Sequence, residues 1–512
     1  MQILSKLKAY FPDNRAEWKL YLAKTIPIVF GALFFALNSF VDNFMVTSIP
    51  NATASLGFAN SWTAVITSFF IGVGVFGSVL VGQFYGAKKY QQVVEVVNYR
   101  ISFSLLITLI FAIVAWSVPG PFLDVFSHGQ DRDPAQTIEY LRIIAISWVL
   151  LAFAYNSGNL LREVAFAKLS FISTLITLFT NIIFNLLFVY VAKWGAVGTA
   201  YASVIATGVG LILSVVFLYR AKREIMINYF LFWKFSKVIF IQFNKRILGT
   251  LIYSVAINLV VFRSSLWNFG FPSLGPEEYQ VTGPGVLGLA LAIANLMTSS
   301  FQAINGNINY FVGRFIGIGD WQLALRNSKK VMGINFLVAL SLTIATALLI
   351  YILTLIPGFA SGVHISAYNY MVNVKHASEA EATATAWKAE AFYLNHLRET
   401  VWVAAVYNPI WMLLLTTLRI IGSGGRSNIV SLANMISGIL QIVWLAIIVY
   451  AILPYSSTLR ENLALSTVLF YASDIIKWGG FELMKLKMQW IRNLNVEHED
   501  LVAKEKLPQL NQ

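Results

Sequence analysis

The chain has 512 residues, of which 57% are hydrophobic and only 12% are charged, and its formal net charge is +13. Soluble domains carry about 25% charged residues, so this composition indicates a polytopic membrane protein and excludes a series of ordinary soluble domains. Because the chain has no cysteine, disulfides, thiol nucleophiles and cysteine-ligated metal sites are excluded.

Twelve apolar runs are long enough to cross a bilayer, for which about 20 residues are needed. In chain order they cover residues 22–48, 58–82, 95–118, 140–158, 169–191, 196–219, 246–268, 286–310, 331–356, 399–418, 427–453 and 463–484. The strands of a membrane β-barrel need only about ten residues and show steady alternation, which these runs lack. We therefore predict an all-α polytopic membrane protein with twelve transmembrane helices.

The first span contains Pro27 near one end and Asp42 further along. Proline removes a backbone donor and collides with the preceding turn, so we expect a bend at Pro27. Apolar residues continue past Asp42, and an ionised carboxylate at that depth is costly unless it faces a polar cavity, takes up a proton or binds a cation. Asp42 is therefore the candidate for cation coupling, and an aspartate satisfied by interfacial water is the alternative.

A polar hinge after the second span recurs after the eighth, 231 residues later. The hinge residues are Gly82, Gln83 and Gly86 in the first copy and Gly313 and Gly317 in the second. Because each half has six spans, an even number, both halves enter the membrane from the same side. This predicts parallel repeats related by an axis along the membrane normal. Two pseudo-symmetric six-helix bundles of this kind are typical of transporters.

Polar side chains in spans four to six could share a pocket with Asp42. Asn181 and Asn185 lie one turn apart and so on one face of span five. The further candidates are Tyr140 and Asn156 in span four and Ser203 in span six. Hydrogen bonding between packed helices explains such residues equally well.

The repeat divides the chain into an N-lobe of residues 1–225, a basic linker of residues 226–245 and a C-lobe of residues 246–512. The linker mixes bases with aromatic rings, which favours a helix on the anionic inner leaflet over single-stranded nucleic-acid binding. Within the C-lobe, the polar sequence of residues about 373–395 predicts an outer loop with a short amphipathic helix. A surface insertion is the favoured interpretation of this segment, and a substrate lid is the alternative. Residues about 488–512 form a polar tail.

Lysine and arginine concentrate in the loops that follow even-numbered spans. The positive-inside rule then places both termini in the cytoplasm, with the chain in the plasma membrane. Asp474 and Lys477, three residues apart in span twelve, are interpreted as a self-neutralising structural pair. The five histidines show no metal-ligand spacing, so no metal site is predicted.

With the doubled hinge, Asp42 and twelve spans, the chain resembles the multidrug and toxic compound extrusion (MATE) family of secondary transporters. The resemblance rests on GQFYGAKK at residues 82–89, VDNFMV at residues 41–46 and GAVGTA at residues 195–200. It implies two six-helix bundles forming a V around a central cavity, and exchange of organic cations for protons or sodium ions.

The same resemblance assigns cation coupling to Asp42 and pocket positions to Asn181, Asn185, Tyr140 and Ser203. Asn185 stands where many members have aspartate. Span seven has no acid where another branch carries glutamate. The resemblance is therefore to DinF-like members, which keep their carboxylate in the first lobe.

The leading hypothesis is an antiporter that exports amphipathic organic cations in exchange for protons, or sodium ions, by alternating access. It needs no cofactor beyond the coupling ion, binds no nucleic acid and is expected to act as a monomer in the bilayer. One alternative is a flippase for lipid-linked oligosaccharides or lipids, whose cavity should be lined by arginines. Arg100, Arg142 and Arg162 lie near span ends and do not make such a lining obvious. The other is an intramembrane enzyme, for which only Glu277 and Glu278 form an adjacent acidic pair outside the tail.

Overall fold

The computed structural model describes residues 7–46, 49, 52–127, 133–259, 263, 266–267 and 269–506. Within the described residues, twelve helices lie at the positions of the predicted spans. The first six are α1 (Arg15–Met45), α2 (Ala52–Gly86), α3 (Tyr90–Ser117), α4 (Pro134–Glu163), α5 (Ala167–Asn185) and α6 (Gly195–Ala221). The second six are α7 (Ile247–Asn258), α8 (Gly283–Ile308), α9 (Trp321–Leu353), α10 (Glu379–Ser423), α11 (Ser427–Ile447) and α12 (Leu463–Lys487).

Among the described residues, nine helices are long and apolar enough to cross a membrane. A tenth is formed if Gly285–Ala294 and Thr298–Ile318, which meet at 48°, are one bent span. Ile247–Ala256 is apolar but shorter, and α12, which carries Asp474 and Lys477, is not among the nine. The described residues contain no strand beyond one isolated bridge, and the prediction of an all-α multi-pass membrane protein is confirmed.

The two halves share local details that follow from the repeated sequence. α5 continues into a π-helical turn at Leu186–Val191, and α11 does the same at Ile448–Ile452. Both helices also begin just after a residue with positive φ, Ala165 at 80° and Gly425 at 83°. α5 and α11, which the repeat predicts to be equivalent, therefore start and end in the same way.

The two copies of the hinge pack against each other where the lobes meet. A Cβ at Gly86 would collide with the backbone of Arg314, and a Cβ at Gly317 would collide with the backbone of Gln83. Gln83 and Arg314 are 231 residues apart, as are Gly86 and Gly317, so each copy makes the same contact with the other. Only glycine permits this close approach. We call this the hinge end of the bundle.

Helix α1 runs without interruption from Arg15 to Met45 and contains Pro27. Proline leaves the carbonyl of the preceding turn without its helical partner. The bend expected at Pro27 remains a prediction.

The predicted outer loop at residues 373–395 is wrong, because most of this segment belongs to α10. The helix starts at Glu379 and continues for 45 residues into span ten. Ser378 caps its first turn by accepting a hydrogen bond from the backbone N–H of Glu381. Alanine, glutamate and lysine dominate the next turns, and these residues favour helix over loop. A separate helix, Ser361–Asn373, precedes it.

The basic linker is only partly helical. A helix of eight residues, Lys237–Asn244, is capped by the hydroxyl of Ser236, and the preceding residues are irregular. Phe230 and Trp233 are exposed by 87% and 56%. Exposed rings among bases are suited to a membrane interface, and this location of the linker remains a prediction.

Candidate functional site

Helices α1, α5 and α6 bring three side chains together around Asp42. Asn185 Nδ2 donates to Asp42 Oδ1 at 2.7 Å, and Ser203 Oγ donates to Asp42 Oδ2 at 2.9 Å. Asp42 is only 5% exposed. Each carboxylate oxygen therefore has one neutral donor in a buried site.

Asn181 completes the hydrogen-bond network. Its Oδ1 accepts from Asn185 Nδ2 at 3.0 Å, and its Nδ2 donates to Ser203 Oγ at 3.3 Å. The spacing of four residues between the two asparagines places both on the face of α5 toward α1 and α6. Within the described part of the chain no salt bridge reaches Asp42. A buried carboxylate held only by neutral donors is suited to take up a proton or a cation.

Tyr140 lies beside this network. It is fully buried, and its hydroxyl lies 3.4 Å from Asn60 Oδ1. It also interacts with Thr199 and, electrostatically, with Asp42. The structure thus places Tyr140 at the predicted pocket and adds Asn60 and Thr199, which the sequence analysis did not identify.

Asn156 does not join this group. Its Oδ1 accepts from Arg100 Nε at 3.0 Å, and its Nδ2 donates to Ser104 Oγ at 3.1 Å. Asn156 follows Tyr140 by 16 residues on α4, which separates them by about 24 Å along the helix axis. One pocket cannot include both residues, so the assignment of Asn156 to the Asp42 pocket is not supported.

A buried ion pair accounts for Arg100. Its Nη1 lies 2.9 Å from Glu163 Oε2, and both side chains are almost fully buried. Ser78 Oγ also donates to the Glu163 carboxylate. Sequence reasoning missed Glu163, although its position one residue after Arg162 at the end of α4 was visible.

A cavity of about 330 Å³ adjoins the Asp42 network. Its lining includes Asn38, Thr177 and Thr207, each one helical turn from Asp42, Asn181 and Ser203 respectively. The network therefore lies at one end of the cavity. Aromatic side chains line its wall, and of the lining residues in the described chain only Arg162 is charged. Ligand pockets commonly have this size and this mixture of apolar wall and few polar groups.

Comparisons with known proteins find a family match for part of the chain. The family model described as MatE matches residues 27–187, which include Asp42, Asn181 and Asn185. Over that stretch the chain is similar to the MATE family. The branch within the family is not distinguished, so the DinF-like assignment remains a prediction.

The chain is similar to a curated relative, the probable multidrug resistance protein YoeA of Bacillus subtilis (strain 168). The two are 23% identical over 287 residues, which cover 54% of this chain and 58% of the relative. The match thus spans little more than half the length of that protein.

Solved structures share the fold of this chain. One is described as the outward-facing conformation of a multidrug resistance MATE family transporter of the MOP superfamily. It matches with a TM-score of 0.69 and 17% identity, and the match covers 94% of this chain and 99% of that chain. A second is a MATE in complex with MaL6, with a TM-score of 0.69, 16% identity, and coverage of 94% and 98%. A third, a MOP superfamily transporter from Pyrococcus furiosus described as having a binding pocket of reverse polarity, has a TM-score of 0.68, 17% identity, and coverage of 94% and 96%.

The C-lobe contains a second buried carboxylate, Asp474. Asp474 Oδ1 accepts from Gln441 Nε2 at 2.8 Å, and its Oδ2 accepts from Trp411 Nε1 at 2.9 Å. Lys477 Nζ lies further away, 3.9 Å from Oδ1. The predicted pair is therefore present, but the closest partners of Asp474 come from α10 and α11. Among the described residues, no group of three His, Asp or Glu side chains is arranged to hold a metal ion.

Proposed function

We propose that the protein is a proton-driven antiporter that exports amphipathic organic cations by alternating access. Asp42 takes up a proton from outside, and the loss of its negative charge releases the bound cation. The protonated carrier then turns inward, releases the proton and binds new substrate. Because the two ligands favour opposite charge states of one carboxylate, binding of one opposes binding of the other.

The isolation of Asp42 among neutral donors is the observation that carries this proposal. Asn185 and Ser203 turn an N–H and an O–H toward the carboxylate, whereas a hard cation such as sodium needs several oxygen ligands. This arrangement supports the proton as the coupling ion, with sodium as the second candidate. The aromatic wall of the adjoining cavity suits the apolar part of an organic cation.

The closed hinge end supports alternating access. The lysines and arginines of the hinge end, including Lys88, Lys89 and Lys168, support a cytoplasmic location for that end. The contacts at Gly86 and Gly317 then seal the cytoplasmic side. We accordingly propose a plasma-membrane protein with cytoplasmic termini that acts as a monomer, since one chain supplies both lobes.

The flippase alternative is less well supported. It requires arginines that line the cavity for an anionic headgroup. Arg100 is fully buried against Glu163, and Arg142 is exposed beside the ring of Trp116. Of the three arginines named for this role, only Arg162 lines the cavity.

Proteoliposomes test the proposed coupling. We expect an inward proton gradient to drive export of a fluorescent organic cation, and an equal sodium gradient at uniform pH to have no effect. Liposomes without protein and a proton ionophore are the controls. Export driven by sodium alone would assign the other coupling ion, and no response to either gradient would reject secondary antiport.

A further inference from the structure

A second cavity, of about 290 Å³, lies at the hinge end where the linker, the start of α11 and the C-terminal segment meet. Its charged lining residues are Lys245, Arg246, Arg426, Arg492 and Glu497. Four positive charges against one negative charge leave a strongly positive site. No residue of the Asp42 network lines this cavity.

The chain already holds one anionic group in this cavity. Glu497 lies 2.8 Å from Arg246 Nη2 and 3.0 Å from Arg492 Nη2, with both distances measured to Oε2. Arg426 instead donates to the backbone carbonyl of Gln489 at 3.2 Å and 3.3 Å. Lys245 is exposed and, like Arg426, forms no salt bridge with any described residue. Two cations therefore remain without a neutralising acid.

Next to this cavity α7 and α11 pack side by side, and we call the surface formed by their exposed apolar side chains the apolar groove. The helices touch where Gly249 meets Asn428, and Asn428 Nδ2 donates to the carbonyl of Lys245. Exposed apolar side chains continue along both helices from that point: Leu248 and Val255 on α7, and Ile429, Leu432 and Ile436 on α11. On transmembrane helices, such exposed apolar side chains face lipid tails.

We propose that this cavity binds the headgroup of an anionic phospholipid, with the acyl chains lying in the groove between α7 and α11. Arginine and lysine are suited to the phosphodiester, and basic pockets between transmembrane helices on the cytoplasmic side recognise such headgroups. A soluble phosphate offers the same charge but no tails for the groove. The groove therefore decides between the two sources of phosphate.

Bound lipid would also fix the C-terminal segment to both lobes. Leu494 N donates to Gln83 Oε1 at 2.7 Å, and Gln83 Nε2 donates to the carbonyl of Ser423 at 3.0 Å. Arg492 and Glu497 flank Leu494 and line the lipid cavity. Occupancy of the cavity therefore stabilises the segment that bridges α2 and α10 at the hinge end.

Native mass spectrometry of the purified protein tests this site. We expect phosphatidylglycerol to bind in preference to phosphatidylcholine, and the double variant Lys245→Gln/Arg426→Gln to bind phosphatidylglycerol about 20-fold more weakly. The control Lys168→Gln/Lys329→Gln removes the same charge from exposed hinge-end positions outside the cavity and should change binding less than about twofold.

The charge-retaining variant Lys245→Arg/Arg426→Lys separates loss of the site from loss of folding, and it should restore most of the binding. Equal binding of the two lipids, or undiminished binding by the double glutamine variant, would overturn the proposal. Saturation of the site by inorganic phosphate at the concentration at which phosphatidylglycerol binds would overturn the assignment to lipid.

Discussion

Replacing Asp42 with asparagine is expected to remove proton-driven export while leaving the fold intact. Asparagine has nearly the same shape and keeps one oxygen that can accept from Asn185 or Ser203, but it cannot change charge. Without that change, the proton has no means of releasing the substrate. We expect export under an imposed proton gradient to fall to the level of liposomes without protein, because neither ligand can change the charge of residue 42.

The measurement is fluorescent-cation export from proteoliposomes that contain equal amounts of folded protein. Glu461→Gln, which removes an exposed acid outside the site, is the matched control and should export normally. Ser203→Ala should show an intermediate loss, because it removes one donor and keeps the carboxylate. Normal proton-driven export by Asp42→Asn would remove Asp42 from the coupling mechanism.

A single methyl group at Gly86 is expected to prevent the hinge end from closing. Its Cβ would collide with the backbone of Arg314, which cannot move aside as a side chain can. Overpacking of this kind costs about 1–3 kcal/mol. That cost falls on the closed state alone, so Gly86→Ala should shift the population toward an open hinge end by roughly 5- to 150-fold.

Distances between spin labels report this shift directly. The absence of cysteine allows labels at Lys168→Cys and Lys329→Cys, one on each lobe at the hinge end, without background labelling. Gly86→Ala and Gly317→Ala should each lengthen this distance. Gly208→Ala places the same methyl group in open space on α6 and should leave the distance unchanged. An unchanged distance in the two hinge variants would mean that the hinge contact does not close the bundle.

The sequence was sufficient to predict the helices and most of the Asp42 site. Apolar runs near 20 residues specify transmembrane helices almost by length alone. Asn181 and Asn185 could be assigned to the site because they lie four residues apart on one helix face. The family resemblance assigned both residues, and Ser203, to the same pocket. The doubled hinge predicted that the two lobes are repeats of each other. It did not predict that Gly86 would contact the second hinge copy and Gly317 the first.

Other features required coordinates, for identifiable reasons. Glu163 and Arg100 lie near the ends of separate spans, where charged side chains commonly reach the membrane surface, so their burial as a pair was not visible. Asn156 was assigned to the same pocket as Tyr140 because the prediction used residue type and not the distance along α4. The start of α10 was assigned to a loop because its residues are polar, although their helix propensity is high.

The most direct test of the account is whether substrate and proton compete for Asp42. Purified protein in weakly buffered detergent solution is mixed with an organic cation, and a pH indicator measures the protons released at several pH values. We predict a maximum of about one proton per transporter for the unmodified chain, and none for Asp42→Asn. Substrate binding without proton release at any pH, or equal release by Asp42→Asn, would contradict the account.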